Sequence, residues 1–339
     1  MHVPEARSSR RTALPPGRAA LPSRRTALAL GVGAALSGVL SGADSAHASA
    51  PGGAQVPAPG SAHVPAPGGG SLAARLRALE EENAARLGVY AVDTATGATV
   101  CHRADERFAI CSVFKVPAVA AVLRDLDHDG TFLARRVHYD RRLVARSGYA
   151  PVTGLPENLA NGMTVESLCA AAVGDSDNAA ANLLLAELGG PSAVTRFCRS
   201  LGDRATRLDH EEPLDSPDPH RIMDATTPAA IGRDFARLVL GRALCPGDRT
   251  RLTGWMVANT TDGEMFRAGL PDDWTLADKT GSTTSYGVAN DVGVVWPPDH
   301  PPLLLAILSH TLAPAGPTNT ALVAETATLV ANGLVSWRG

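Results

Sequence analysis

Two amines stand out in this chain of 339 residues. Of its 31 lysines and arginines, only Lys115 and Lys279 are lysines. Each lies in a short motif with a hydroxyl-bearing residue, Ser112-Val113-Phe114-Lys115 and Lys279-Thr280-Gly281. Arginine stays protonated near neutral pH, whereas a partly buried lysine can release or share a proton. The two lysines therefore mark places where an amine is needed for chemistry.

Ser112 and Lys115 are spaced for nucleophilic catalysis. On a helix that begins near Ser112, residues three apart share one face and can come within hydrogen-bond reach. A serine hydroxyl is a weak nucleophile until a base takes its proton, and Lys115 can be that base only if burial or the second cation shifts its charge. Ser-x-x-Lys alone is a weak signal, because it occurs by chance in many helices.

Further motifs make the signal specific. They are Ser176-Asp177-Asn178, then Arg207-Leu208-Asp209-His210-Glu211-Glu212-Pro213, then Lys279-Thr280-Gly281, accompanied by Tyr149-Ala150-Pro151 and Trp274. In this order and spacing they resemble the class A serine β-lactamases of the β-lactamase and penicillin-binding protein superfamily. The resemblance runs over essentially all of residues 71–339.

The resemblance implies a catalytic role for five residues. Ser112 would attack the lactam carbonyl, and Ser176, beside Lys279, would protonate the departing nitrogen. Glu212 would activate the water that frees the acyl-enzyme. Whether Lys115 or Glu212, acting through water, starts acylation is left open by the sequence.

The resemblance also implies the substrate contacts. The backbone N–H groups of Ser112 and Ser282 would hold the oxyanion, Asn178 would present its amide to the substrate side chain, and Tyr149 would line the entrance. The full predicted set of substrate-binding residues is Tyr149, Asn178, Thr280, Gly281 and Ser282. No cofactor and no metal is expected, because the ten histidines show no paired ligand spacing.

Supporting pairs can be carried over in the same way. Arg267 and Asp278 match positions that form a buried ion pair behind the site. Asp224 matches the acid that closes the loop carrying Glu212, but His210 stands where its partner is usually arginine. Because a histidine pairs best when protonated, we expect this loop to loosen as pH rises above about 6.5.

Two departures from the family pattern concern the substrate. The loop after Glu212 lacks the asparagine that usually helps to hold the hydrolytic water, so Asp215 or Ser216 must serve and slower deacylation is expected. The positions that supply an arginine to the substrate carboxylate align with Met265 and Ala289. Neither can donate a charged hydrogen bond, so a raised KM for penicillins is expected, which arginine at either position would lower.

The elements that position these residues are of the α/β (α+β) class. An amphipathic helix at about 71–85 and strands at 87–94 and 98–103 are matched near the other end by strands at 288–296 and 303–310 and a helix at 319–336. Strands at both ends and helices between them predict one antiparallel sheet built from both termini, with flanking helices and an inserted all-helical subdomain. The α/β part is predicted at about 71–111 and 260–339, the helical part at about 112–259, and the active site in the cleft between them.

The N-terminal residues carry an export pattern. Ser23-Arg24-Arg25-Thr26 opens an uncharged, Ala/Leu/Gly-rich run that ends at the small-residue site Ala46-His47-Ala48, so 1–48 reads as a twin-arginine-type signal peptide. The alternative, a membrane anchor, is disfavoured because the apolar run is shorter than the roughly 20 residues that span a bilayer. Residues 49–70 contain two near copies of a Pro/Gly-rich heptapeptide and are predicted to be a disordered linker. The β-lactamase domain would then be 71–339.

Composition limits the partners. Loss of 1–48 would remove six arginines and two acids, so the net charge would fall from −3 to −7. A negative net charge does not favour binding to nucleic acid or to an anionic membrane. We expect a secreted monomer that hydrolyses penicillins or cephalosporins, with no stable membrane association after signal cleavage. The alternatives are a DD-peptidase-like protein and a non-hydrolytic β-lactam-binding protein that is acylated once. The odd number of cysteines, five, gives no predicted disulfide framework.

Overall fold

The computed structural model describes residues 71–214 and 223–335. The predicted signal peptide and linker lie outside the described residues, as do Asp215 and Ser216, the proposed replacements for the water-holding asparagine.

One antiparallel sheet of five strands joins the two ends of the chain. The strands of the described residues are β1 Ala85–Asp93, β2 Thr99–His102, β3 Phe108–Ala109, β4 Arg136–Val137, β5 Met163–Thr164, β6 Ala225–Thr226, β7 Thr275–Thr283, β8 Val288–Trp296 and β9 Leu303–Thr311. The sheet has the spatial order β2-β1-β9-β8-β7, with Val89 opposite Ile307 and Thr280 opposite Asp291. The predicted α/β fold with a sheet from both termini is confirmed.

Helices fill the middle of the chain and flank the sheet. They are α1 Leu72–Glu82, α2 Lys115–Ala121, α3 Thr131–Ala134, α4 Arg141–Ser147, α5 Pro156–Asn161, α6 Val165–Gly174, α7 Asn178–Glu187, α8 Ser192–Ser200, α9 Pro228–Val239, α10 Pro246–Val257, α11 Phe266–Gly269 and α12 Thr320–Val335. Side-chain caps start several of them: Asp177 accepts from the N–H of Ala180 at 2.8 Å, and Thr227 caps α9 ahead of Pro228.

The sheet has a separate apolar cluster on each face. One cluster packs α1 and α12 on the sheet through residues such as Leu76, Ile307 and Val330. The other joins the helical part to the opposite face, where Phe235 of α9 packs with Val292. Helix α9 lies in the sequence range of the helical part but packs on the sheet. Its Gly232 permits this close approach, because a Cβ there would lie 3.0 Å from the ring of Tyr90.

Among the described helices, none combines the length and the apolar character that crossing a membrane requires.

Candidate active site

Ser112, the predicted nucleophile, lies at the start of a helix. A short 3₁₀ turn, Cys111–Phe114, leads into α2, and buried Val113 and Phe114 anchor it in the core. Cys111 adopts the left-handed region at φ 44°, a backbone conformation that costs energy in a non-glycine residue and is common at functional sites. Ser112 itself is partly exposed. The fold thus presents Ser112 at the surface of an otherwise buried segment.

A glycine lets strand β7 approach this serine. A Cβ on Gly281 would lie 3.1 Å from the backbone nitrogen of Ser112 and equally close to Cys111 and Val113. A Cβ at position 281 would therefore require the strand or the Ser112 segment to shift by a few tenths of an ångström. The predicted oxyanion residue Ser282 follows directly and is exposed.

The amine of Lys115 is fully buried and surrounded by acceptors. It donates to the carbonyl of Ser176 at 2.8 Å and to Oδ1 of Asn178 at 2.6 Å, and it lies 3.0 Å from Oε1 of Glu212. The Ser176 hydroxyl is 3.4 Å away. Burial lowers the pKa of Lys115, while Glu212 acts in the opposite direction. Lys115 therefore lies between the Glu212 carboxylate and the Ser176 hydroxyl, close enough to exchange a proton with either.

Glu212 reaches the nucleophile directly. The Ser112 hydroxyl donates to its Oε1 at 3.1 Å, and the N–H of Leu214 donates to Oε2 at 2.9 Å. Burial raises the pKa of this carboxyl, but Lys115 and the donated hydrogen bonds outweigh it and the net pKa is lowered. A charged carboxylate in contact with a serine hydroxyl is the arrangement that general-base catalysis requires.

Lys279 is the second buried amine of the cleft. Its Nζ donates to the carbonyl of Thr280 at 3.0 Å. Burial and the nearby charge of Lys115 lower its pKa to about 7. The two lysines and Glu212 are thus close enough for each to influence the charge of the others.

The predicted substrate-side residues surround this centre. Asn178 uses its amide to link Lys115 with the carbonyl of Ser147, to which its Nδ2 donates at 3.0 Å. The Tyr149 side chain is 59% exposed, as suits an entrance residue. Thr280 is buried in β7.

Asn182 is a supporting residue that the sequence analysis missed. Its Oδ1 accepts from the backbone N–H of Glu212 and its Nδ2 donates to the carbonyl of the same residue, both at 2.8 Å. It lies four residues after Asn178 on α7, so the two amides share one face of that helix. That spacing is the signal that could have found it.

The base of the Glu212 loop is closed as predicted. His210 Nδ1 lies 2.6 Å from Oδ2 of Asp224, whose Oδ1 accepts from the backbone N–H groups of Asp209 and His210. The hydrogen bond to Asp224 raises the pKa of His210.

The predicted ion pair of Arg267 with Asp278 is wrong. Arg267 Nε lies 3.7 Å from Asp262, and Asp278 accepts from Nδ2 of Asn259 at 2.9 Å. Burial and the charge of Asp262 raise the pKa of Asp278 to about 7, and burial and Asp278 raise that of Asp291 well above its usual value. Burial thus favours the protonated form of both acids, which needs no arginine as counter-charge.

The two positions aligned with carboxylate-binding arginines are apolar and buried. Met265 and Ala289 belong to the cluster that packs α1 and α12 on the sheet. The described residues therefore supply no arginine to the cleft from either position.

Comparisons with known proteins identify the family of this chain. Residues 71–334 match the model of the β-lactamase enzyme family. A β-lactamase of Streptomyces lavendulae is 58% identical over 316 residues, covering 93% of this chain and 98% of that protein. One of Kitasatospora aureofaciens is 56% identical, covering 92% and 97%. The solved structure of the Streptomyces albus G β-lactamase matches with a TM-score of 0.77 and 56% identity, covering 78% of this chain and all of that one. The chain therefore belongs to the β-lactamase enzyme family and is a serine β-lactamase.

Proposed function

We propose that the protein is an exported class A enzyme that opens the amide of penicillins and cephalosporins through an acyl-enzyme on Ser112, which Glu212 helps to hydrolyse. The observation that carries the proposal is the contact of the Ser112 hydroxyl with Glu212, whose same carboxylate oxygen is held by the amine of Lys115. One oxygen thus links the nucleophile, a charged base and a second proton carrier.

Acylation uses these groups in sequence. As the Ser112 oxygen bonds to the lactam carbonyl carbon, its proton passes to the Glu212 carboxylate and can be shared with Lys115. The carbonyl oxygen becomes an oxyanion near the N–H groups of Ser112 and Ser282. When the C–N bond breaks, the nitrogen takes a proton from the Ser176 hydroxyl, which Lys115 reprotonates across 3.4 Å.

Deacylation needs the base a second time. Glu212, charged again, takes a proton from a water that attacks the ester carbonyl, and returns this proton to the Ser112 oxygen as its bond to the carbonyl carbon breaks. The clamp of Asn182 on both backbone groups of Glu212 keeps the carboxylate facing the serine. This position of Glu212 favours hydrolysis over the alternatives of a DD-peptidase or a protein that is acylated once.

The test combines turnover and protein mass. A chromogenic cephalosporin is mixed with purified wild type, Ser112→Ala and Glu212→Gln. We expect many turnovers for wild type and no reaction for S112A. In E212Q, Lys115 must take the Ser112 proton in place of Glu212, so we expect slower acylation that ends in a stable mass increase equal to one opened cephalosporin. A wild-type protein that stops after one acylation would contradict the proposal and support the binder or the peptidase.

Localisation and association belong to the same proposal. The twin-arginine pattern within residues 1–48 supports export, and the mature charge of −7 supports a monomer that binds neither nucleic acid nor membrane. Fusing 1–48 to a reporter should give export that replacement of Arg24 and Arg25 by lysine abolishes.

A further inference from the structure

We infer that Thr261 determines how strongly the cleft binds the carboxylate of a β-lactam, because it holds the hydroxyl proton of Thr280. The inference rests on the proposed function, in which Thr280 contacts the substrate. It assigns to Thr261 a positioning role that acts through Thr280.

A chain of hydrogen bonds connects the two threonines to a buried acid. Asn259 Nδ2 donates to Oδ2 of Asp278 at 2.9 Å. Asn259 Oδ1 accepts from the backbone N–H of Thr261 at 3.0 Å and from its hydroxyl at 2.8 Å. The Thr261 and Thr280 hydroxyl oxygens are 2.5 Å apart.

The direction of each bond in this chain follows from what the groups can donate. The backbone N–H of Thr261 is only a donor, so the oxygen of the Asn259 amide must face it and the NH₂ group must face Asp278. That oxygen is only an acceptor, so the Thr261 hydroxyl donates to it. A hydroxyl has a single proton, and the bond between the threonines must therefore be donated by Thr280.

As a consequence, the Thr280 hydroxyl proton points to Thr261 and is not available to the substrate carboxylate. Thr280 lies between Lys279 and Gly281 in β7, where Gly281 lies against Ser112. With its proton committed to Thr261, the Thr280 hydroxyl offers an incoming carboxylate only lone pairs. To donate, Thr280 must release Thr261 or the Thr261 hydroxyl must turn away from Asn259. Either change gives up one hydrogen bond, in a cleft where Met265 and Ala289 supply no charged donor.

The test removes the acceptor that holds the proton. In Thr261→Ala, the Thr280 hydroxyl is released and can donate to the substrate. We expect KM for benzylpenicillin to fall about fivefold, the factor that one ordinary hydrogen bond is worth, with kcat little changed. Thr261→Ser, which keeps the hydroxyl, should restore the wild-type KM.

Two controls separate this effect from a general change in the loop. Thr260→Val alters the neighbouring threonine, whose hydroxyl bonds instead to the carbonyl of Gly174 at 3.2 Å, and its KM should match wild type. The methyl ester of benzylpenicillin has no carboxylate, so T261A should leave its KM unchanged.

A double-mutant cycle decides the mechanism. Adding T261A to Thr280→Val should have no further effect on KM, because the proton in question is gone. The inference is overturned if T261A raises KM, if the ester responds as the acid does, or if the effect persists in T280V. Failure of the proposed function would instead be seen as absence of turnover in the wild type.

Discussion

Two buried clusters of ionisable groups differ in how their charge is compensated. In the cleft, Lys115 and Glu212 lie 3.0 Å apart and compensate each other's charge. The second cluster lies in the helical part and consists of Cys198 in α8, Asp203 and, in α9, Asp234. Their polar atoms lie within 4.8 Å of one another. The only lysine or arginine within 4.0 Å of the Asp234 carboxylate among the described residues is Arg237, at 3.1 Å and half-exposed.

The difference shows what catalysis demands of a buried charge. Burial and Asp203 raise the pKa of Asp234 to about 8, so at neutral pH this acid keeps its proton and the cluster avoids two adjacent negative charges. Glu212 must be charged to act as a base, so its counter-ion has to be a permanent neighbour. At Asp234, a retained proton and the half-exposed Arg237 suffice, whereas the role proposed for Glu212 requires a buried cation that keeps the carboxylate charged.

The largest effect should follow from breaking the cleft pair. Lys115→Met leaves Glu212 without its counter-ion and removes a proton carrier, so kcat/KM should fall about 10³-fold and the melting temperature should drop. Lys115→Arg keeps the charge but cannot release a proton, so it should restore stability and leave activity low. Steady-state kinetics and thermal melts of both variants test this; near-wild-type turnover in K115R would show that only the charge of Lys115 matters.

Lys279 should give the cleft its sensitivity to pH. Because burial and Lys115 lower its pKa to about 7, the amine loses its charge as pH rises above 7 and its attraction for an anionic substrate weakens. We expect KM for benzylpenicillin to rise about tenfold between pH 7 and 9. In Lys279→Arg the charge persists, so KM should be flat over this range. An equal rise in both proteins would assign the effect to another group.

The acid pair of the helical part, Asp203 and Asp234, can be tested by replacing Asp234 with asparagine. The folded pKa of Asp234 lies above the unfolded value, so the stability from its bound proton is complete at low pH and is lost as pH rises through about 8. Asp234→Asn keeps a donor toward Asp203 at every pH. We expect its melting temperature to exceed that of wild type by about 3 °C at pH 8 and to match it near pH 4. A constant difference between the proteins across this range would contradict a proton retained on Asp234.

The smallest effect is expected at the base of the Glu212 loop. Asp224 raises the pKa of His210 above 6.5, so the stability from this pair is fully present below pH 6.5 and is lost as pH rises through the folded pKa. His210 is well exposed, so solvent screens the pair. Melting temperature and deacylation rate should both decrease modestly between pH 5.5 and 8, and His210→Arg should remove the decrease. Flat profiles in the wild type would refute the idea.

Most of the fold was predictable because its signals are local. Alternating apolar residues set the strands at both ends of the chain, and turn residues bounded the helices between them. The predicted strand at 288–296 has the observed limits, and the predicted helix at 319–336 corresponds to Thr320–Val335. Side-chain partners were harder to predict, because a pair such as Arg267 and Asp262 depends on how α11 packs.

The sequence by itself determined which residue types are available for catalysis. They are two lysines, each within three residues of a hydroxyl-bearing residue, and a glutamate that lies between the lysines in the chain. Their order matches that of a known family. Only the tertiary structure decided which groups share protons. It turned Asp278 toward a second acid, placed Asn182 on the backbone of Glu212, and directed the Thr280 proton to Thr261. The physical reason is that the two kinds of feature depend on interactions at different separations along the chain. Helix and strand patterns arise from neighbours along the chain, whereas a hydrogen bond depends on distances of tenths of an ångström between segments that only folding brings together.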